Sequence, residues 1–206
     1  MPLPRNLVEG YWRFRRDRHA PDRGRYEQLA ALGQAPTAMV IACCDARVDV
    51  SAIFDAEAGE LFIVRNVANL VPPYEPEGRY HGTSAAVEYA LSVLKVPHII
   101  LLGHSHCGGI AAYREKRAAA GSFIGRWLAL LDGVSETDQD VAAIGSETAL
   151  ELASIRKSLA NLRSFPALKE REGEGLLALH GLHFDIASGH LLALGDDDHF
   201  VAVGED

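Results

Sequence analysis

His98-Ile99-Ile100-Leu101-Leu102-Gly103 carries four consecutive large aliphatic residues and runs straight into His104-Ser105-His106-Cys107-Gly108-Gly109. An apolar run without polar alternation is what a strand covered on both faces looks like, and such strands belong to parallel sheets flanked by helices. Two further runs read the same way: Val40-Ile41-Ala42-Cys43, and Glu60-Leu61-Phe62-Ile63-Val64-Arg65. Helical spacing separates them, with a short helix near Val50 to Phe54 and a longer one over Ala85 to Leu94, for which Thr83 or Ser84 is the expected cap and Glu88 its partner. Strands alternating with helices predict an α/β fold with a mostly parallel β-sheet, whose ligands gather beyond the carboxyl ends of the strands.

Outward from this centre the pattern changes. Leu7 to Arg18 and Tyr26 to Leu32 read as two N-terminal helices, ending near Pro21 and Gly33, and Tyr11, Trp12 and Phe14 would be costly on a solvated arm. They are expected to pack on the domain or on a partner subunit. The second half is helical over Phe123 to Leu131 and Ser146 to Leu162, with Pro166 following. Leu176 to Asp185 reads as a late strand, Ser188-Gly189 as a turn before Leu191 to Leu194, and Asp196-Asp197-Asp198 as a solvated loop. The whole, residues 1–206, is expected to be one domain, with 1–34 as a helical arm and 35–206 as the α/β core.

Composition excludes several classes. A net charge of −8 argues against general affinity for nucleic-acid phosphates. No apolar stretch has the roughly 18 residues of a membrane helix, and the start lacks a signal-peptide core, so a cytoplasmic protein is expected. With three cysteines, two of them adjacent, a disulfide framework is not expected.

The chemistry stands at the strand ends. Cys43-Cys44-Asp45-Ala46-Arg47 closes one apolar run, and strict alternation puts Cys43, Asp45 and Arg47 on one face with Cys44 and Ala46 on the packing side. His104 or His106, with Cys107, closes another. Two thiols and an imidazole at neighbouring strand ends form a donor set suited to Zn²⁺. The competing reading is of buried cysteines acting as small hydrophobes. Spacing does not choose between the two histidines.

Cys43-x-Asp45-x-Arg47 with His104-x-x-Cys107-Gly108 resembles the signature of the β-class carbonic anhydrases. The likeness extends through Phe62 to Tyr74, Gly82 to Ala90 and His180-Gly181, and is nearest to the plant-type branch. The resemblance implies one Zn²⁺ per chain on Cys43, His104 and Cys107. It implies a catalytic pair of Asp45 and Arg47, and a substrate pocket lined by Gln34, Phe62, Val67, Tyr89 and the backbone of Gly108. It also implies a homodimer or larger homo-oligomer in which Gln34 serves the neighbouring subunit, with CO₂ and bicarbonate as substrates.

A zinc site with two thiolates is formally neutral, so activating its water needs help from the surroundings. Asp45, locked by Arg47, would stay ionised and orient a zinc-bound hydroxide toward CO₂. His106, His81 or buffer are candidates for carrying the proton away. Asp45 swinging onto the metal would close the site; family members that close with bicarbonate carry tryptophan where this chain has Val40, so an open site at neutral pH is expected. The family usually has serine at the position of Ala46, and branches with alanine there include enzymes that hydrolyse carbonyl sulfide, which makes that CO₂ analogue the alternative substrate. A structural zinc protein with Asp45 as permanent fourth ligand is the non-enzymatic alternative.

Overall fold

A computed structural model describes residues 2–78, 81–119, 121–134 and 146–204. By internal contacts the chain divides into two units, Met1–Ala35 and Pro36–Asp206. The first holds α1 (Arg5–Phe14), a π-helical turn (Arg15–His19) and α2 (Arg23–Leu32). Rings of Phe14, His19 and Tyr26 cluster around the turn, with His19 and Tyr26 centroids 4.6 Å apart. No residue of α1 or α2 is buried, and Leu7, Tyr11 and Trp12 are more than half exposed.

The second unit is built on six strands: β1 (Ala38–Cys43), β2 (Leu61–Asn66), β3 (His98–His104), β4 (Ala178–Phe184), β5 (Leu191–Leu194) and β6 (Phe200–Ala202). Their order is β2-β1-β3-β4-β5-β6; the first four are parallel and the last two antiparallel. The connecting helices are α3 (Val50–Ile53), α4 (Gly82–Tyr89), α5 (Gly108–Arg114), α6 (Phe123–Leu128), α7 (Ser146–Leu162) and α8 (Pro166–Gly173). The reading of an α/β fold with a mostly parallel sheet flanked by helices holds.

Burial on both faces explains why the middle of each central strand, from Val40 to Ala42 and from Ile99 to Leu102, carries no polar residue. Met39, Ile41, Ile99 and Leu101 face a core shared with Ile155 and Leu159 of α7, while Val40, Ala42 and Leu102 face a second core with Val48 and Val50. Both faces are dry. Helix α7 lies unusually close to the sheet: a Cβ at Gly103 of β3 or Gly181 of β4 would stand 2.7 or 2.9 Å from Ile155. These two strand glycines therefore set the depth at which the helix rests.

One local expectation is corrected. Helix α4 begins at Gly82 with His81 as its N-cap and no side-chain cap, so neither Thr83 nor Ser84 caps it with Glu88. Thr83 is instead buried and accepts a hydrogen bond from the Asn66 side chain at 3.2 Å, a tertiary contact that outcompetes local capping. Pro166 does more than follow α7; it occupies the first turn of α8, where its missing N–H costs nothing. The acidic loop is tied back through Asp198, which accepts from Arg156 Nε at 3.1 Å.

Candidate metal centre

β1 and β3 are parallel neighbours, paired up to Ala42 and Leu102, so their carboxyl ends lie side by side. Cys43 is the last residue of β1 and His104 the last of β3, while Cys107 follows one turn later as N-cap of α5. All three are buried, and their donor atoms lie within 4.8 Å of one another. The two sulfurs are 3.9 Å apart, close to the roughly 3.8 Å that two thiolates adopt on one tetrahedral zinc, and far from a disulfide.

The histidine ambiguity is resolved by geometry. His104 Nδ1 lies 2.9 Å from the Ser105 carbonyl, which only accepts, so Nδ1 carries the proton and Nε2 is left with its lone pair. That Nε2 is fully buried without a partner. A buried lone pair facing two thiols fits a metal ion and has no other use in the structure. His106 is exposed, at a φ of 55°, and contributes only its carbonyl, which accepts from Arg47 at 2.9 Å.

Charge in the cluster is shared. The hydrogen bond from Cys107 holds the Cys43 thiol well below its ordinary value, and the same bond, with burial, pushes Cys107 up. One proton leaves easily; the charge it leaves behind holds the second until a cation takes its place. Burial works against a charged His104, but the nearby Cys43 sulfur and the Ser105 carbonyl outweigh it and its net shift is upward.

Beside the cluster, Asp45 and Arg47 form a two-point ion pair: Arg47 Nε donates to Oδ1 at 2.9 Å and Nη2 to Oδ2 at 2.7 Å. The Arg47 amide adds a third bond at 3.0 Å. The guanidinium holds the Asp45 carboxyl far below the usual carboxylate range, against the opposing effect of burial. Asp45 Oδ2 is 4.0 Å from His104 Nε2, near the donor cluster yet committed to Arg47.

The local backbone differs from strict alternation. β1 stops at Cys43 and the chain turns through Ala46 and Arg47, so Cys44 and Ala46 are exposed rather than packed. A turn, not the strand pleat, brings Asp45 to the metal side. Arg65 of β2 braces this turn, donating from Nε to the Cys43 carbonyl at 2.7 Å and from Nη2 to the Asp45 carbonyl at 2.6 Å.

Of the expected pocket residues, Phe62 and Tyr89 stack with centroids 5.8 Å apart, and Tyr89 is 44% exposed. Val67 touches the start of α5: a Cβ on Gly109 would stand 2.9 Å from its Cγ1. Val67 also lines an open cavity of about 700 Å³ with Asn66, His81, Thr83, Phe123 and Trp127. Gly108 opens α5 beside Cys107, and Gln34 lies exposed in the first unit.

Comparison with known proteins decides the family. The carbonic anhydrase family profile matches residues 38–191, which include the three clustered donors and the Asp45–Arg47 pair. The chain is 36% identical to a carbonic anhydrase of Pseudomonas aeruginosa over 211 residues, 98% of this chain and 92% of that protein. This chain belongs to the β-class carbonic anhydrases. It is 35% identical over 191 residues to beta carbonic anhydrase 3 of Arabidopsis thaliana, covering 89% of this chain and 73% of that protein. The solved β-carbonic anhydrase CcaA superposes with a TM-score of 0.84 at 33% identity, over 97% of this chain and 92% of that one. A β-carbonic anhydrase of Sordaria macrospora, described as tetrameric, superposes at 0.73 with 29% identity, over 97% and 94% of the two chains. As a carbonic anhydrase the chain is an enzyme of CO₂ hydration, with a buried Cys-His-Cys group able to take a metal.

Residue patterns did not expose two parts of this site. Arg65 stood in the sequence as an arginine ending an apolar strand, the one legible hint of its brace. Glu151 and His183 gave none: Glu151 Oε1 accepts from the Cys107 amide at 2.9 Å, and Oε2 lies 3.1 Å from His183 Nε2. Among the described residues no helix is long and apolar enough to cross a membrane.

Proposed function

We propose that this carbonic anhydrase converts CO₂ and water reversibly to bicarbonate and a proton at one zinc ion per chain, held by Cys43, His104 and Cys107. The observation that carries the reading is the buried, unpartnered His104 Nε2 beside two sulfurs 3.9 Å apart. Zinc bound there would supply a water acidic enough to act as nucleophile near neutral pH. Asp45, ionised and fixed by Arg47, accepts a hydrogen bond from the attacking oxygen and turns a lone pair toward carbon. With its two oxygens engaged by Arg47, the carboxylate is kept for this task and would be held back from a metal on Cys43, His104 and Cys107. Phe62, Val67 and Tyr89 supply an apolar wall for CO₂, and the Gly108 amide and Gln34 of the partner subunit donate to the oxygen where negative charge develops. His81, in the cavity shared with Val67, the exposed His106 or buffer would carry the proton to solvent.

The assembly we propose is a homodimer or a multiple of one, in which each copy's arm covers the other's α/β unit. The exposed apolar residues of α1, and Phe123 at 90% exposure on the cavity rim, support it. Three unpaired cysteines support a reducing, cytoplasmic setting.

The test is stopped-flow CO₂ hydration on protein whose zinc content is measured on the same preparation. The expected result is turnover proportional to bound zinc, at about one ion per chain at saturation. Carbonyl sulfide offered to the same preparation is expected to be the poorer substrate; a large preference for it would overturn the CO₂ assignment.

A further inference from the structure

Glu151 is a carboxylic acid on the buried face of α7, only 6% exposed, and His183 of β4 is 2% exposed. A buried carboxylate costs several kcal/mol unless its lone pairs are satisfied, so a fold keeps one where it holds something. Here one oxygen takes the amide of Cys107 at 2.9 Å and the other meets His183 Nε2 at 3.1 Å. The carboxylate thus holds the Cys107 backbone on one side and the His183 ring on the other, and His183 Nδ1 is buried without a partner.

We propose that Glu151, braced by His183, is a positioning residue that fixes the Cys107 backbone, and through it the direction of Cys107 Sγ, before metal arrives. The proposal rests on the zinc reading of the centre and adds the element that preorganises one of its ligands. The reach of Glu151 is set by the strand glycines. Ile155, one turn further along α7, sits where Gly103 and Gly181 leave space, so the helix lies deep enough for a glutamate to span to the Cys107 amide. His183 pairs in register with Gly103, directly beside His104, which puts the brace under the same strand end that carries the imidazole ligand. Outer-sphere partners of this kind change metal affinity by about 10- to 100-fold when removed.

The experiment compares zinc release to a chelator from the holoenzyme and its variants, each checked for folding by circular dichroism. Glu151→Ala is expected to release zinc about 10- to 100-fold faster than the parent. Glu151→Gln keeps an acceptor for the Cys107 amide and is expected to stay within about threefold of the parent. His183→Asn, which removes the brace and leaves the acceptor, should fall between them and carries the comparison if the alanine variant does not fold. In the cobalt-substituted forms, the sulfur-to-metal absorption band is expected to shift in Glu151→Ala and return in Glu151→Gln. Amide hydrogen exchange at Cys107 in the metal-free protein provides a readout without zinc: slow in the parent, faster in Glu151→Ala, slow again in Glu151→Gln. Folded Glu151→Ala with parental exchange and parental zinc release would overturn the proposal, as would Glu151→Gln matching Glu151→Ala in both. A parent that shows the expected exchange pattern yet binds no zinc would overturn the zinc reading alone.

Discussion

Two carboxylates flank the same three donors and are held in opposite ways. Asp45, in front, has a side chain 17% exposed and is clamped by Arg47, two residues along the same turn. Glu151, behind, has a side chain 7% exposed and is held by Cys107 and His183, 44 and 32 residues away in the chain. The front acid reaches solvent and is kept ionised by a neighbouring cation. The back acid meets only protein and is spent on backbone geometry. Local anchoring leaves a group free for chemistry, whereas tertiary anchoring on all sides leaves it only a scaffolding role.

Breaking the front should cost turnover and spare the metal. Asp45→Asn is expected to lower kcat for CO₂ hydration by about 100-fold or more while bound zinc, measured by atomic absorption, stays at the parental level. Loss of zinc instead would make Asp45 a metal ligand and revive a closed, structural site. Disturbing the back should do the reverse. Gly181→Ala forces a methyl against Ile155 and is expected to destabilise the fold by about 1–3 kcal/mol in urea titrations, with turnover per bound zinc little changed.

A third acid at this end of the sheet sharpens the contrast. Asp185, just beyond β4, is lowered to about 2 by hydrogen bonds from the Ser188 hydroxyl and amide. Because its folded value lies below the unfolded one near 3.9, its stabilisation is complete above about pH 5 and is lost as pH falls toward 2. Ser188→Ala should therefore lower stability at pH 6 by about 1 kcal/mol or less, with a clearly smaller effect at pH 2, measured by denaturation at both. The smallest effect is expected at Cys44. It neighbours a ligand in sequence but is exposed, so Cys44→Ser should retain zinc content and kcat, and a loss of either would give the front of the site a residue it now lacks.

How legible each part was follows from how local its cause is. The central strands were readable because burial on both faces removes every polar residue from Val40 to Ala42 and from Ile99 to Leu102. β6, three residues long at the sheet edge, left no pattern to read. Cys43, Asp45 and Arg47 were visible as chemistry at a strand end, yet alternation assigned Cys44 and Ala46 to packing because nothing in the residues marks where a pleat gives way to a turn. The capping of α4 was misread for a related reason: Thr83 is a good cap in isolation, and only the fold offers it Asn66.

By itself the sequence determined the α/β class and the residue types at the carboxyl ends of two strands, since periodicity and donor chemistry are written residue by residue. Spacing left His104 and His106 open and the family resemblance favoured His104; the tertiary structure shows why His104 faces the thiols, and only it decided that Arg65 pins the turn carrying Asp45 and that Glu151 stands behind Cys107. Those choices depend on which backbone carbonyl captures an imidazole nitrogen and on how deeply a helix settles over two glycines, and both are distances between segments far apart in the chain.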